Sequence, residues 1–175
     1  MEFASKNQPV EHAQLEQVSI IPAERKHWYS ITAMTEAFFP YANFSYDEIM
    51  RRLGTDTIFY FVALSGSNSA SERQSDSING GKGHTVGFVD FELKEKSAQI
   101  LGLAVLEEYR GKGIGAKLLQ KALDEIMRLS GERAIPLERI DLLVSDSNPA
   151  ALALYKKHGF ETAGKLDRKL WDLDI

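Results

Sequence analysis

The sequence predicts an α/β fold, with a mixed, mostly antiparallel central sheet of six to seven strands flanked by about four helices. Three observations carry this reading. TIFYFVAL (57–64), HTVGFVDFEL (84–93) and AQILGLAV (98–105) are consecutive runs rich in aromatic and β-branched residues, and so antiparallel neighbours. From Gly113 to about Leu129, residues Ile114, Leu118, Ala122, Ile126 and Leu129 keep helical spacing, and IDLLVS (140–145) follows as a strand that needs a crossover. The chain has 175 residues, 43% of them hydrophobic and 26% charged, which suits one soluble domain spanning 1–175.

Each element has its own signal. Residues 1–13 are polar and read as a flexible tail. QLEQVSII (14–21) reads as a first strand, and Pro22 opens a helix over about 23–39. Trp28, Ile31, Thr35 and Phe38 share one face of that helix, and Pro40 ends it. Ser45 and Glu48 form a capping-box pattern for a short helix from Tyr46 to Leu53, with Gly54 as its stop. The serine- and glycine-rich stretch 65–83 reads as a mobile hairpin loop. Residues 94–97 make a turn, and the largely apolar run 98–105 reads as a central strand. Asn148 caps the last helix, Pro149 occupies its first turn and Gly159 ends it. GFETAGKL and KLWDLDI then read as a final hairpin.

Composition excludes several chemistries. There is no cysteine, so disulfides, thiolate nucleophiles and cysteine zinc sites are ruled out. His12, His27, His84 and His158 lack ligand spacing, and no metal is expected. A net charge of −4 gives no reason to expect a nucleic-acid partner. No stretch approaches the roughly 20 apolar residues of a membrane span. The start has no signal-peptide pattern, so a cytoplasmic location is the default expectation.

The sharpest motif is Tyr109-Arg110-Gly111-Lys112-Gly113-Ile114-Gly115-Ala116, set between an apolar strand and an amphipathic helix. Three glycines in five positions let successive backbone N–H groups converge, and a helix start adds unpaired donors and a positive dipole end. Arg110, Lys112 and Lys117 supply charge for anionic oxygens. The motif lacks the Gly-Lys-Ser/Thr ending of a triphosphate loop and the Gly-x-Gly-x-x-Gly of a dinucleotide fold. A plain strand-to-helix turn is the competing reading.

LGLAVLEEYRGKGIGAKLL (101–119) resembles the signature of the GNAT N-acetyltransferase superfamily, in which Arg/Gln-x-x-Gly-x-Gly/Ala opens the main helix. Arg110, Gly113 and Gly115 match it. SNPAALALYKKHGF (147–160) matches the family's second half at Asn148, Tyr155, Gly159 and Phe160. The resemblance follows nearly the whole chain in element order, with motif matching confined to about 98–160. It implies the GNAT fold and acetyl-CoA as cosubstrate. Cofactor contacts are then expected from Leu103, Ala104, Val105, Arg110, Gly111, Lys112, Gly113, Ile114, Gly115, Ala116, Asn148 and Tyr155. By the same analogy the Val105 N–H polarises the thioester carbonyl and Tyr155 donates a proton to the departing thiolate. Read without the family, Asn148 is a helix cap and Tyr155 a core tyrosine.

The implied reaction is direct attack of a primary amine on the thioester, with no acyl-enzyme. Two positions where relatives carry a base are here Leu143 and Gln99, which cannot titrate. Glu92, or Asp90, is the expected base, the alternative being that both are solvent-facing hairpin residues. The family builds its acceptor site from the first two helices and the last hairpin, and the helix region is here AFFPYANFSYDEI (37–49). Phe39 and Tyr41 are the candidate acceptor-site residues there, unless these aromatics only pack the helices onto the sheet. That stretch resembles ribosomal-protein and protein N-terminal acetyltransferases, which makes a peptide N-terminus the first-choice acceptor. A small-molecule amine (polyamine, amino sugar, amino acid or antibiotic) and a non-catalytic coenzyme A-binding regulator are the alternatives. Homodimers are frequent in the family, so a homodimer is the accompanying expectation.

Overall fold

The computed structural model describes residues 18–39, 46–66 and 83–165. In chain order these form β1 (Val18–Pro22), α1 (Trp28–Phe38), α2 (Tyr46–Leu53), β2 (Ile58–Ser65), β3 (His84–Leu93), β4 (Ser97–Val105), α3 (Ile114–Glu132), β5 (Arg139–Leu142) and α4 (Pro149–Lys157). The strands lie side by side in the order β1-β2-β3-β4-β5. The first three pairings are antiparallel and the last, across the α3 crossover, is parallel.

Side-chain alternation sorts the strands' residues into two apolar layers. Phe61, Val89, Phe91, Ile100 and Val105 point to the face covered by α3, where Ile114, Leu118, Ala122 and Ile126 are buried. Tyr60, Val62, Phe88 and Ala104 point the other way, onto Ile31 and Met34 of α1 and Ile49 of α2. β3 is therefore buried on both faces, which explains its nearly unbroken apolar run.

Several boundaries differ from the sequence reading. The expected helix 23–39 begins as a single 3-10 turn at Arg25–His27, because the buried His27 turns its Nδ1 back to accept the Glu24 N–H at 2.9 Å. In α1, Thr32 and Thr35 sit in the apolar layer because their hydroxyls donate to the Trp28 and Ile31 carbonyls. α2 matches its expected span, while Pro40, Ser45 and Tyr41 lie outside the described residues, as do 1–17 and 67–82. β5 stops at Leu142 rather than Ser145. The described residues hold five strands, fewer than the six to seven expected, because residues 160–165 form no strand. The remainder of the expected hairpin, 166–175, lies outside the described residues.

Candidate active site

The site begins where two parallel strands part. β4 pairs with β5 only from Ser97↔Arg139 to Ile100↔Leu142, so Leu101–Val105 continue against β3 alone among the described residues. Beyond the strand's end, the Leu106 N–H donates to the Val86 carbonyl at 2.9 Å. Backbone groups alternate in direction along a strand, so Ala104 also faces β3, while Leu103 and Val105 face the edge that β5 has left. The Val105 carbonyl on that edge is taken by Arg110, whose Nε donates to it at 2.9 Å. The Arg110 guanidinium lies 5.0 Å from the centre of the Phe38 ring. Arg110 therefore ties the end of β4 to the glycine turn and to α1, rather than standing only as a charge for an anion. The Val105 N–H is left aimed outward beside an occupied carbonyl.

The turn itself follows at once. A 3-10 turn over Glu107–Tyr109 leads to Gly111 and Gly113, with φ of 74° and 78°. A Cβ added at either would meet nothing within 4 Å, so backbone conformation and not crowding demands glycine here. Gly113 is the N-cap of α3 and no side chain caps the helix, so the N–H groups of Ile114, Gly115 and Ala116 open the helix without intrahelical acceptors. Buried Ile114 pins this first turn to the core, while Ala116 is half-buried. Lys112 lies over the Tyr109 ring at 4.9 Å, and Lys117 is exposed one turn on. The Tyr109 hydroxyl is held by His84 Nε2 at 2.7 Å, which braces the turn against the start of β3.

Both sequence motifs meet at Gly115. A Cβ built there lies 3.6 Å from Leu154 Cδ2, 3.7 Å from Leu103 Cδ2 and 3.9 Å from Val105 Cγ2. α4 thus closes over the same place where β4 ends and α3 begins. Its cap is Asn148, whose Oδ1 accepts the Ala151 N–H at 3.1 Å. Tyr155 is half-buried, packs on the α3-side core and meets Phe160 edge-on at 5.9 Å between ring centres. Burial pushes its phenol up from the usual value. Gly159, with φ of 86°, ends the helix as expected.

On the opposite face of β4 a bulge changes the register: Phe91 faces Ile100 and Asp90 faces Gly102, leaving Leu101 unmatched. Asp90 is only 5% exposed and is the one buried carboxylate among the described residues. Its alternation partner Glu92 is half-buried at the rim, 3.6 Å from Lys94. The alternative reading, that both carboxylates face solvent, fails for Asp90, because α1 and α2 cover that face of β3. Burial pushes Asp90 up to about 7, opposed by the nearby Arg52 and by hydrogen bonds from the Tyr60 hydroxyl and the Gly102 N–H. Arg52 in turn reaches Tyr60 and is paired with Glu48 at 3.1 Å. Phe39 packs edge-on against Phe88 beside this carboxylate, with ring centres 6.5 Å apart. Asp90 was legible as a candidate, whereas Tyr60, Arg52 and Gly102 were not singled out. The available signal was an aspartate in a strand apolar on both faces, opposite a glycine in the next strand.

A family model described as an acetyltransferase (GNAT) domain matches residues 70–162, more than half of the chain. The chain belongs to the GNAT acetyltransferase family. Among curated relatives, a Bacillus subtilis (strain 168) protein provisionally named as a ribosomal protein bS18-alanine N-acetyltransferase is 34% identical over 82 residues, 47% of this chain and 50% of its own length. An N-alpha-acetyltransferase of Sulfurisphaera tokodaii is 38% identical over 66 residues, 38% of this chain and 36% of its own. The chain thus spans half or less of the curated relatives it matches. Among solved structures, the ribosomal-protein-S18-alanine N-acetyltransferase of Escherichia coli superposes with a TM-score of 0.61 at 21% identity, covering 85% of this chain and 80% of that one. An aminoglycoside N-acetyltransferase, AAC(6')-Iy in complex with CoA, gives 0.61 at 14% identity, covering 86% and 92%. Both structures share the GNAT fold of this chain. No helix among the described residues is long and apolar enough to cross a membrane.

Proposed function

We propose that the chain is an acetyl-CoA-dependent N-acetyltransferase whose acceptor is the amino terminus of a protein or peptide. The observation that carries the reading is the parting of β4 from β5 beside the glycine turn, which presents the Val105 N–H, the loop amides and the α3 N-terminus along one edge. The cosubstrate supplies an activated acetyl thioester, and the chain's residues do the rest. Backbone donors from Gly111 to Ala116, with Lys112, suit a pyrophosphate. Leu103 and Val105 offer the open strand edge to an amide-bearing arm, while the expected Ala104 contact is set aside because its backbone is turned to β3, and Asn148 sits at the facing helix start. The Val105 N–H is a fixed donor for an oxyanion, and Arg110 holds it by fixing the carbonyl of the same residue. Tyr155, whose phenol is protonated at neutral pH, protonates the departing thiolate, a transfer that depends on its placement and not on its acidity.

The peptide acceptor is supported by the relatives' names and by Phe39 lying on the α1 side of the sheet. The test is coenzyme A release from acetyl-CoA, followed with a thiol-reactive dye across peptides of varied first residue, polyamines and amino sugars. The chain has no cysteine to react with the dye. Turnover on peptides, reduced at least tenfold in Tyr155→Phe, is the expected result. Turnover confined to small amines would reassign the acceptor. Binding of acetyl-CoA without release on any amine would replace the enzyme with a coenzyme A-binding regulator.

A further inference from the structure

The geometry points to Asp90 as the group that accepts the proton of the attacking amine, with Tyr60 and Arg52 as the positioning residues that aim it. This inference rests on the acetyltransferase reading above and assigns the role which that reading leaves open. Asp90 is buried where β3 faces the bulge of β4, on the α1–α2 side of the sheet. Its carboxylate fills the space that a side chain at residue 102 would need: a Cβ on Gly102 would stand 2.7 Å from Oδ1. The same Cβ would stand 3.5 Å from Phe88 Cε2 and 3.7 Å from Phe39 Cε2, so the glycine against which the carboxylate packs also borders Phe39, an acceptor-site candidate. Gly102 lies within the stretch Leu101–Val105 that β5 has left and directly precedes Leu103, whose backbone faces the open edge. Glu92 lies two residues further from that edge, ion-paired with Lys94 and facing Gln99.

Among the described residues, few charged and titratable groups face Asp90. From β2 the Tyr60 hydroxyl donates to it, from α2 Arg52 approaches both Tyr60 and Asp90, and Glu48 holds Arg52. From β4 only the Gly102 N–H contributes. An Arg-Tyr-Asp chain of this kind fixes the carboxylate's orientation, and burial keeps its proton affinity high enough to take a proton near neutral pH. The step balances without a further reactant. The neutral amine forms a bond to the acetyl carbonyl carbon while the carbon–sulfur bond breaks. The amine nitrogen gives one proton to Asp90, and the sulfur takes one from Tyr155. Both side chains return to their starting states by exchange with solvent.

The experiment compares Asp90→Asn, Glu92→Gln and Tyr60→Phe with the full wild-type chain in three readouts: acetyl-CoA binding, the pH profile of kcat/KM on the best amine, and the carboxyl NMR signals of labelled aspartate. Asp90→Asn is expected to keep acetyl-CoA binding and lose about 10²–10⁴-fold in kcat. The acid limb of the wild-type profile is expected to coincide with the one aspartate signal missing from Asp90→Asn. Tyr60→Phe removes a hydrogen bond to the charged form, so both the limb and the signal should move together to higher pH. The inference is overturned if Asp90→Asn turns over within threefold of wild type, if the loss falls on Glu92→Gln instead, or if limb and signal diverge. Should Asp90→Asn not fold, Tyr60→Phe decides, and an unmoved acid limb refutes the assignment. A wild-type chain that binds acetyl-CoA and acetylates nothing would instead refute the acetyltransferase reading, which separates the two failures.

Discussion

Gly102→Ala tests the packing on which this site depends. The new Cβ would lie 2.7 Å from Asp90 Oδ1, well inside van der Waals contact, while its distances to Phe88 and Phe39 are ordinary. The methyl therefore meets one obstacle, and that obstacle is a buried carboxylate held by the Tyr60 hydroxyl and the backbone N–H of residue 102 itself. Overpacking of this kind costs about 1–3 kcal/mol. Displacing the carboxylate from a hydrogen bond it needs costs about 1–3 kcal/mol more. With partial relaxation, a net loss of roughly 2–4 kcal/mol is expected. In a chain of this length that lowers Tm by about 4–16 °C. Circular dichroism melts of the wild type, Gly102→Ala, Asp90→Ala and the double variant measure it. The double variant should lose about 1–2 kcal/mol less than the sum of the singles, since the methyl then occupies space the carboxylate vacates. A Gly102→Ala protein melting within about 1 °C of wild type would refute the contact and the placement of Asp90 built on it.

Other perturbations probe the remaining parts. Gly113→Ala forces a side chain onto a φ of 78° and should cost about 1–2 kcal/mol in a thermal melt, while weakening acetyl-CoA binding severalfold by calorimetry. Asn148→Ala removes the bond to the Ala151 N–H and should cost about 1 kcal/mol, whereas Asn148→Asp, which keeps the acceptor, should melt close to wild type. Asp90 gives a pH dependence of definite sign. Its folded pKa, about 7, lies above the unfolded value, so its contribution is fully present below about pH 4 and is lost as pH rises through neutrality. The Tm difference between Asp90→Asn and wild type should therefore grow in favour of the variant from pH 5 to pH 8.

The layers of this fold were legible because periodicity is a local property. The spacing of Ile114, Leu118, Ala122 and Ile126 fixed one helix face, and all four are buried. The glycine turn and Asn148 were legible because their residue types answer local backbone demands, φ above zero in one case and an unpaired helix donor in the other. Arg110 was harder: its spacing marked it as part of the turn, yet its hydrogen bond to Val105 depends on how the strand bends back toward Phe38. The Asp90 cluster was least legible, because it joins β2, β3, β4 and α2 through a bulge that no single segment announces. Among the described residues the strand count falls short of the expectation where GFETAGKL carried a weak alternating pattern but residues 160–165 form no strand.

The parting of β4 from β5 also divides one strand between two clocks. The Leu106 amide, and with it Ala104, is tied to β3 inside the buried sheet and should exchange its hydrogen only when the sheet itself opens. Leu103 and Val105, their immediate neighbours, face the other edge and should exchange through small local fluctuations. A cofactor lying along that edge would act as a borrowed strand, slowing those two amides and leaving the others unchanged. Alternate-residue protection along a single strand would thus report occupancy directly, with no acceptor required.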